Sequence, residues 1–422
     1  MSGLPRRLPR LAAAGIAAVL WSTALGSAAH AQVAPAFPIL LRESDNAPRI
    51  VAIGADVDRA EGLAEQAGAR PNPSVSVFAE NIGGTTPYRG FAGSETTVQL
   101  SQPFELGGKR SARIAAGRAD VDVARARALE ARIAYAYDLA LAYAAVEIAL
   151  ERITLVEAEI EDATADHRMA KALVDAGKEA PLRQLQAESA LNALRADLDL
   201  ARANLGAALA RLSALAGSPQ LFIGISGSVL SLFDTRPAMG PVDPARSSLY
   251  RIAVAERDAA RMRLGVERRR SIPDITASVG VRRFQRDDSA ALVVGVSVPL
   301  PLFDRNRGNI AAASAEVRGT EARVEAARRE SEAELSGAIG QVEAMESRVG
   351  AAQVSLMTAQ ETYRLARLAY EGGKAPLSEL LAARHGLGVA RGVLLDATAA
   401  RFGAYAFLAR LTGRTVTGDP IQ

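Results

Sequence analysis

The chain has 422 residues, with 50 Lys plus Arg against 47 Asp plus Glu, three histidines and no cysteine. The absence of cysteine excludes disulfides, thiolate metal sites and a lipidated N-terminal cysteine. Residues 1–31 read as a secretory signal: Arg6, Arg7 and Arg10 form a basic start, Leu11 to Leu25 is apolar, and Ala29-His30-Ala31 fits a cleavage site. Removing those three arginines leaves 47 basic residues beside 47 acidic ones, so the basic isoelectric point implies no nucleic-acid partner. No later segment offers ~18 uncharged apolar residues. The chain after the signal is therefore either soluble or enters a membrane as strands.

Residues 32–47 read as irregular and residues 48–69 as a helix. Alternation of apolar with small or polar residues then marks two strands, at about 74–82 and 95–102. A long helical hairpin follows over 109–216, completing a first repeat of 32–217. From Lys109 to Ala176 there is no proline, and at 1.5 Å per residue the run makes a rod of roughly 100 Å. Leu129, Ile133, Ala136, Ala140 and Tyr143 mark its core face. Gly177 and Pro181 turn the chain. The return helix carries Leu191, Leu194, Leu198, Ala201, Leu205, Ala208, Leu212 and Leu215 in the 3-4 alternation of a coiled-coil seam.

Residues 218–247 form a linker, and a second repeat occupies 248–413, with a tail at 414–422. It begins with a helix over 248–270. Its strands lie at about 274–283 and 290–299, and its helical hairpin at 305–412. Ser101, Pro103, Leu106, Ile114, Ala115 and Ala116 correspond in order to Ser297, Pro299, Leu302, Ile310, Ala311 and Ala312. Gly177-Lys178 likewise corresponds to Gly373-Lys374. A period of roughly 200 residues is too long for a solenoid and indicates a duplicated half. In each half the return helix is shorter than the rod, so the helix before the strands is expected to cover the remainder.

The strand pattern fits either a soluble half-buried hairpin or a membrane strand of ~9–11 residues. In a membrane four strands cannot close a barrel, and open edges in lipid are forbidden, so several chains must share one. Ala277, Val279, Val294 and Val296 are then expected to face lipid. Thr276, Ser278, Gly295 and Ser297 are expected to face the lumen.

Three stretches carry a resemblance to a known family: Asn72-Pro73 with Ile272-Pro273-Asp274-Ile275, Ser297-Val298-Pro299-Leu300-Pro301-Leu302-Phe303, and Arg367 through Leu381 around Gly372-Gly373-Lys374. With the duplicated helix–strand–strand–helix–helix order, they make the chain resemble the outer-membrane efflux, TolC-like, family. Glu80-Asn81-Ile82-Gly83-Gly84 and Glu105-Leu106-Gly107-Gly108-Lys109-Arg110 resemble its cobalt–zinc–cadmium resistance branch. The resemblance implies a mainly α fold with a small β part. It further implies a homotrimer with a 12-stranded outer-membrane β-barrel continuous with a periplasmic α-helical barrel. The implied location is the outer membrane of a Gram-negative bacterium, and the implied partners are a periplasmic adaptor and an inner-membrane RND pump. The implied role is a passive exit duct for heavy-metal cations. A duct for drugs or other small organic molecules and a soluble periplasmic coiled-coil adaptor stand as alternatives.

Catalytic chemistry is not legible. Gly107-Gly108-Lys109-Arg110 lacks the spacing and hydroxyl of a phosphate-binding loop. His167 and His385 read as surface helix residues, and Glu157, Glu159, Glu161, Asp162 and Asp166 as a solvated helix face. No cofactor is expected. The candidate adaptor contacts are Gly177, Lys178, Tyr370, Gly373, Lys374, Leu377 and Leu381 at the hairpin tips, taken as exposed. Glu379 is the candidate periplasmic gate. The nearest basic residues along its helix, Lys374 and Arg384, stand outside the favourable spacing of three or four.

Overall fold

The computed structural model describes residues 32–86, 88–233 and 243–421. The expected signal lies outside them, as does part of the linker. The elements are β1 (Gln32–Ala34), α1 (Phe37–Glu43), α2 (Pro48–Ala67), β2 (Ser74–Glu80), β3 (Glu95–Phe104), α3 (Lys109–Asp175), α4 (Pro181–Ala216), β4 (Phe222–Ile225), α5 (Ser248–Arg270), β5 (Ile275–Phe284), β6 (Ser289–Ser297), α6 (Arg307–Glu371) and α7 (Leu377–Leu411). The fold is mainly helical, and each half runs helix, two strands, long helix, return helix.

The two strand hairpins join into one antiparallel sheet in the order β2-β3-β5-β6. β3 and β5 pair along their whole length, from Glu95 opposite Phe284 to Phe104 opposite Ile275. Register aligns Val77 with Val98, Val98 with Val281, and Val281 with Leu292. Because side chains alternate faces, one face carries Val75, Val77, Val98, Leu100, Val279, Val281, Leu292, Val294 and Val296. Among the described residues nothing covers it: Val75, Leu292, Val294 and Val296 are each 70% exposed. The opposite face carries Ser74, Ser76, Thr97, Gln99, Ser101, Thr276 and Ser278. Ala277 lies opposite Val296 and Val279 opposite Val294, while Thr276 lies opposite Ser297 and Ser278 opposite Gly295. Apolar and polar sets thus occupy opposite faces, in the grouping the alternation gives.

The rods α3 and α6 have 67 and 65 residues. Each leaves the sheet through a left-handed N-cap, Gly108 at φ 73° and Asn306 at φ 58°. α3 packs against α2 near the sheet and against α4 beyond it, and α6 likewise packs against α5 and then α7. α3 also packs against α5 and α7 of the second half, so the halves form a continuous wall. The return-helix seam is buried or half-buried from Leu191 to Leu215. Within that wall α4 and α6 are the outer helices of the hairpin region, and both keep apolar stripes in solvent. Leu182, Leu185 and Leu200 of α4 are exposed, as are Val354, Met357, Leu365 and Leu368 of α6.

Residues 32–47 are not irregular. β1 pairs in parallel with β4, across Gln32 with Phe222 and Ala34 with Ile225. α1 buries Phe37 and Leu40. These segments close over the largest apolar core, where Phe37 and Tyr143 meet edge to face at 6.1 Å and Leu139, Leu212, Phe222, Phe402 and Leu408 are buried. Burial, with Glu147 nearby, pushes the Tyr143 hydroxyl up to about 12. Glu147 ties down the first part of the linker, its Oε2 accepting from the amides of Val229 at 2.8 Å and Leu230 at 3.2 Å.

Val293 and Val294 are adjacent on β6 and point to opposite faces. Arg at Val294, on the apolar face, is expected to cost roughly 2–4 kcal/mol of membrane stability, and Arg at Val293 far less. Folding titrations into lipid vesicles check this; equal costs would remove the distinction between the faces.

Candidate functional site: the paired hairpin tips

Both helical hairpins end in the same turn. Gly177 and Gly373 each adopt φ 67°. Lys178 N–H donates to the Leu173 carbonyl at 2.9 Å and Gly177 N–H to Val174 at 2.9 Å. Lys374 donates to Ala369 at 2.8 Å and Gly373 to Tyr370 at 2.9 Å. This paired closure caps the last carbonyls of each rod and requires a left-handed residue. A Cβ on Gly373 would meet open space, so the residue is there for its backbone angle alone. Pro181 then opens α4, and Pro376 precedes α7.

The tips divide into an exposed rim and a buried interior. Gly177, Lys178, Gly373 and Lys374 are exposed. Tyr370 and Leu377, expected at the surface, are 6% and 0% exposed. They join Ala170, Ala187 and Leu380 in a small apolar cluster, with Leu381 half-buried beside it. This cluster spans both hairpins, drawing α3 and α4 against α6 and α7. The sequence shows Tyr370 and Leu377 flanking a turn but not that a second tip lies against them.

Just behind the tips the contact between α3 and α7 is ionic. Arg384 of α7 lies 3.4 Å from Asp166 of α3, Arg391 lies 3.9 Å from Asp162, and Asp396 lies 2.5 Å from Arg152. α7 makes room for these side chains with glycines. A Cβ at Gly388 would fall 2.8 Å from Glu159 Oε1, and one at Gly392 would fall 3.0 Å from Arg152 Nη1. The acidic stretch of α3 is therefore not a uniformly solvated face: Asp166 is 2% exposed. Burial raises the pKa of Asp166, and Arg384 pulls it back down. Burial likewise raises Glu159, against Arg391 and Arg384. Asp166 Oδ2, Arg384 Nη1, His167 Nε2 and Tyr370 Oη are buried without a hydrogen-bond partner among the described residues. His167 is thus half-buried rather than a surface residue, whereas His385 is exposed.

Glu379 sits in the first turn of α7 and is exposed. Among the described residues its carboxylate has no ion-pair or hydrogen-bond partner. Also among the described residues, no group of three or more His, Cys, Asp or Glu is placed to hold a metal ion, and no helix is long and apolar enough to cross a membrane.

The architecture and the sequence agree with known proteins. The family described as outer membrane efflux protein matches residues 42–218 and 245–414, one stretch per half. The nickel-cobalt-cadmium resistance protein NccC of Alcaligenes xylosoxydans xylosoxydans is 40% identical over 413 residues, covering 97% of this chain and 93% of that protein. The cobalt-zinc-cadmium resistance protein CzcC of Cupriavidus metallidurans is 31% identical, covering 86% of each. The outer membrane protein VceC of Vibrio cholerae superposes with a TM-score of 0.74 at 20% identity, over 92% of this chain and 97% of VceC. The channel protein CusC superposes with a TM-score of 0.76 at 17% identity, over 91% and 92%. A duplicated TolC-like fold, an uncovered apolar sheet face and a family match spanning both halves lead to one statement: the chain belongs to the outer-membrane efflux protein family.

Proposed function

We propose that three copies of this chain form the passive outer-membrane duct of a tripartite RND-type efflux system that exports heavy-metal cations. The observation that carries the trimer is the open sheet. β2 and β6 are edge strands, and unpaired backbone groups in hydrocarbon cost several kcal/mol each. Three copies joined β6 to β2 remove every edge and give twelve strands. The same head-to-tail contact brings the apolar stripe of α6 against that of α4 in the next copy, a heterologous interface that closes by rotation. The cargo reading is supported by the metal-resistance relatives, at 40% and 31% identity. Mass measurement in detergent tests the assembly: a trimer is expected, and a monomer that stays soluble without detergent would overturn it.

Adaptor docking falls to the exposed rim, Gly177, Lys178, Gly373 and Lys374, with Tyr370, Leu377 and Leu381 shaping it from beneath. The buried pair behind the rim sets how firmly the two tips hold together. Removing one partner of a buried pair strands the other charge and costs roughly 3–5 kcal/mol, whereas apolar replacement of both is close to neutral. Arg384→Met is expected to loosen the tips and speed tryptic cleavage at Lys178 and Lys374. Asp166→Leu combined with Arg384→Met should return cleavage toward the wild-type rate. A double variant cleaved as fast as the single one would show that the pair does not hold the tips.

Glu379 is proposed as the periplasmic gate residue. Its lack of a partner leaves three like carboxylates at a narrow mouth, which concentrate cations and repel anions. In planar bilayers Glu379→Gln should lower cation preference and weaken block by multivalent cations added on the tip side. Unchanged selectivity would place Glu379 on the outer surface.

A further inference from the structure

The polar face of the sheet carries one charged cluster, at the end away from the helices. Glu80 ends β2, and register sets it directly opposite Glu95 at the start of β3. Like charges directly opposite on paired strands destabilise a sheet. Arg282 of β5 answers both: its guanidinium lies 3.1 Å from Glu80 Oε2 and donates to Glu95 Oε2 at 3.1 Å. Its Nε donates to Thr97 Oγ1 at 3.0 Å, and Asn81 Nδ2 donates to Glu95 Oε1 at 3.3 Å. One arginine thus spans three neighbouring strands, on the face opposite the uncovered valines. The side chains remain within reach of solvent, Glu80 at 52% and Arg282 at 33% exposure.

We infer that Glu80, Glu95 and Arg282 form a charge-selective ring at the outer mouth of the duct, which favours hydrated divalent cations and whose strength Arg282 limits. This inference rests on the three-chain duct with the polar face inward. Two carboxylates against one guanidinium leave one negative charge per chain, hence three around the ring. A ring of that sign in a pore raises the local concentration of cations and excludes anions. A fully acidic ring would hold departing divalent cations more tightly, and conduction requires that they leave. Arg282 therefore has two effects, joining β2, β3 and β5 and keeping the exit weakly rather than strongly negative. The ring lies at the opposite end from Glu379, so the two mouths act on ions independently.

The test is selectivity and block in planar bilayers with the intact trimer. A rod of roughly 100 Å cannot cross the bilayer, so protein added to one chamber inserts with its strand loops leading and each mouth faces a known side. Wild-type channels should favour cations. Arg282→Gln should increase that preference and lower the Mg2+ concentration that blocks from the loop side by about tenfold, the effect of one further unit charge per chain on a nearby divalent ion in salt. Arg282→Lys keeps the charge but not the three-strand fork, and should retain the cation preference and loop-side block while lowering the stability of the barrel. Glu80→Gln with Glu95→Gln should shift selectivity the other way and abolish loop-side block, while block from the tip side is unchanged. If Arg282→Gln does not insert, the double Gln variant and Arg282→Lys still decide. Unaltered reversal potentials and loop-side block in the double variant would overturn the ring. A wild type that forms no channels would instead overturn the duct reading on which the ring depends.

Discussion

Hydrocarbon offers no hydrogen-bond partner, and this constraint governs the architecture from the sheet downward. A strand placed in a membrane must satisfy its amides and carbonyls with another strand. Within the chain β3 and β5 are paired on both sides, whereas β2 and β6 each keep one free edge. The duplication goes as far as one polypeptide can. It merges two hairpins into one sheet through β3 and β5 and continues the merger below, where α3 contacts α5 and α7. What remains open in the sheet stays open in the helices, and the exposed leucines of α4 and the apolar stripe of α6 mark the corresponding edges.

The two halves are held together by chemically different means at different heights. Near the middle of the rods the contact is a dry apolar core, with Tyr135, Leu139, Tyr143, Phe402 and Leu408 buried together. Toward the tips it becomes a ladder of opposite charges laid over Gly388 and Gly392. Apolar burial stabilises without regard to direction, at about 25 cal/mol per Å². Buried ion pairs give up hydration for a Coulombic return that is close to even. The middle of the wall is therefore its firm region, and the ladder is a weaker join closed at its end by the small cluster around Tyr370 and Leu377.

Much of this was legible because two periods dominate the sequence. Alternation in Ile275–Phe284 and Ser289–Ser297 gave both the strands and their faces, since a period of two leaves no freedom in which side chains share a face. The 3-4 spacing from Leu191 to Leu215 gave the return helix and its seam. What failed was what depends on distant partners. β1 and β4 are three and four residues long, too short for a period to register, and each is a strand only because the other is beside it. Tyr370 and Leu377 look exposed on a lone hairpin and are covered by the second. Asp166 has the composition of a solvated face and is buried only because Arg384 reaches it from α7. Nothing in the sequence singles out Arg282, since neither Glu80 nor Glu95 is near it along the chain.

The parallel pairing of β1 with β4 also bears on the order of folding. Gln32–Ala34 lies at the start of the described chain, yet its partner, Phe222–Ile225, follows the whole first helical hairpin. The segment that leaves the ribosome early cannot dock until the hairpin has been delivered. Closing so long a loop carries an entropic cost that local helix formation does not, and contacts of high sequence separation form slowly. The hairpin α3–α4 can zip from its own turn without that contact. The β1–β4 clasp should thus be a late event, sealing the apolar core around Phe37 after the rods are in place.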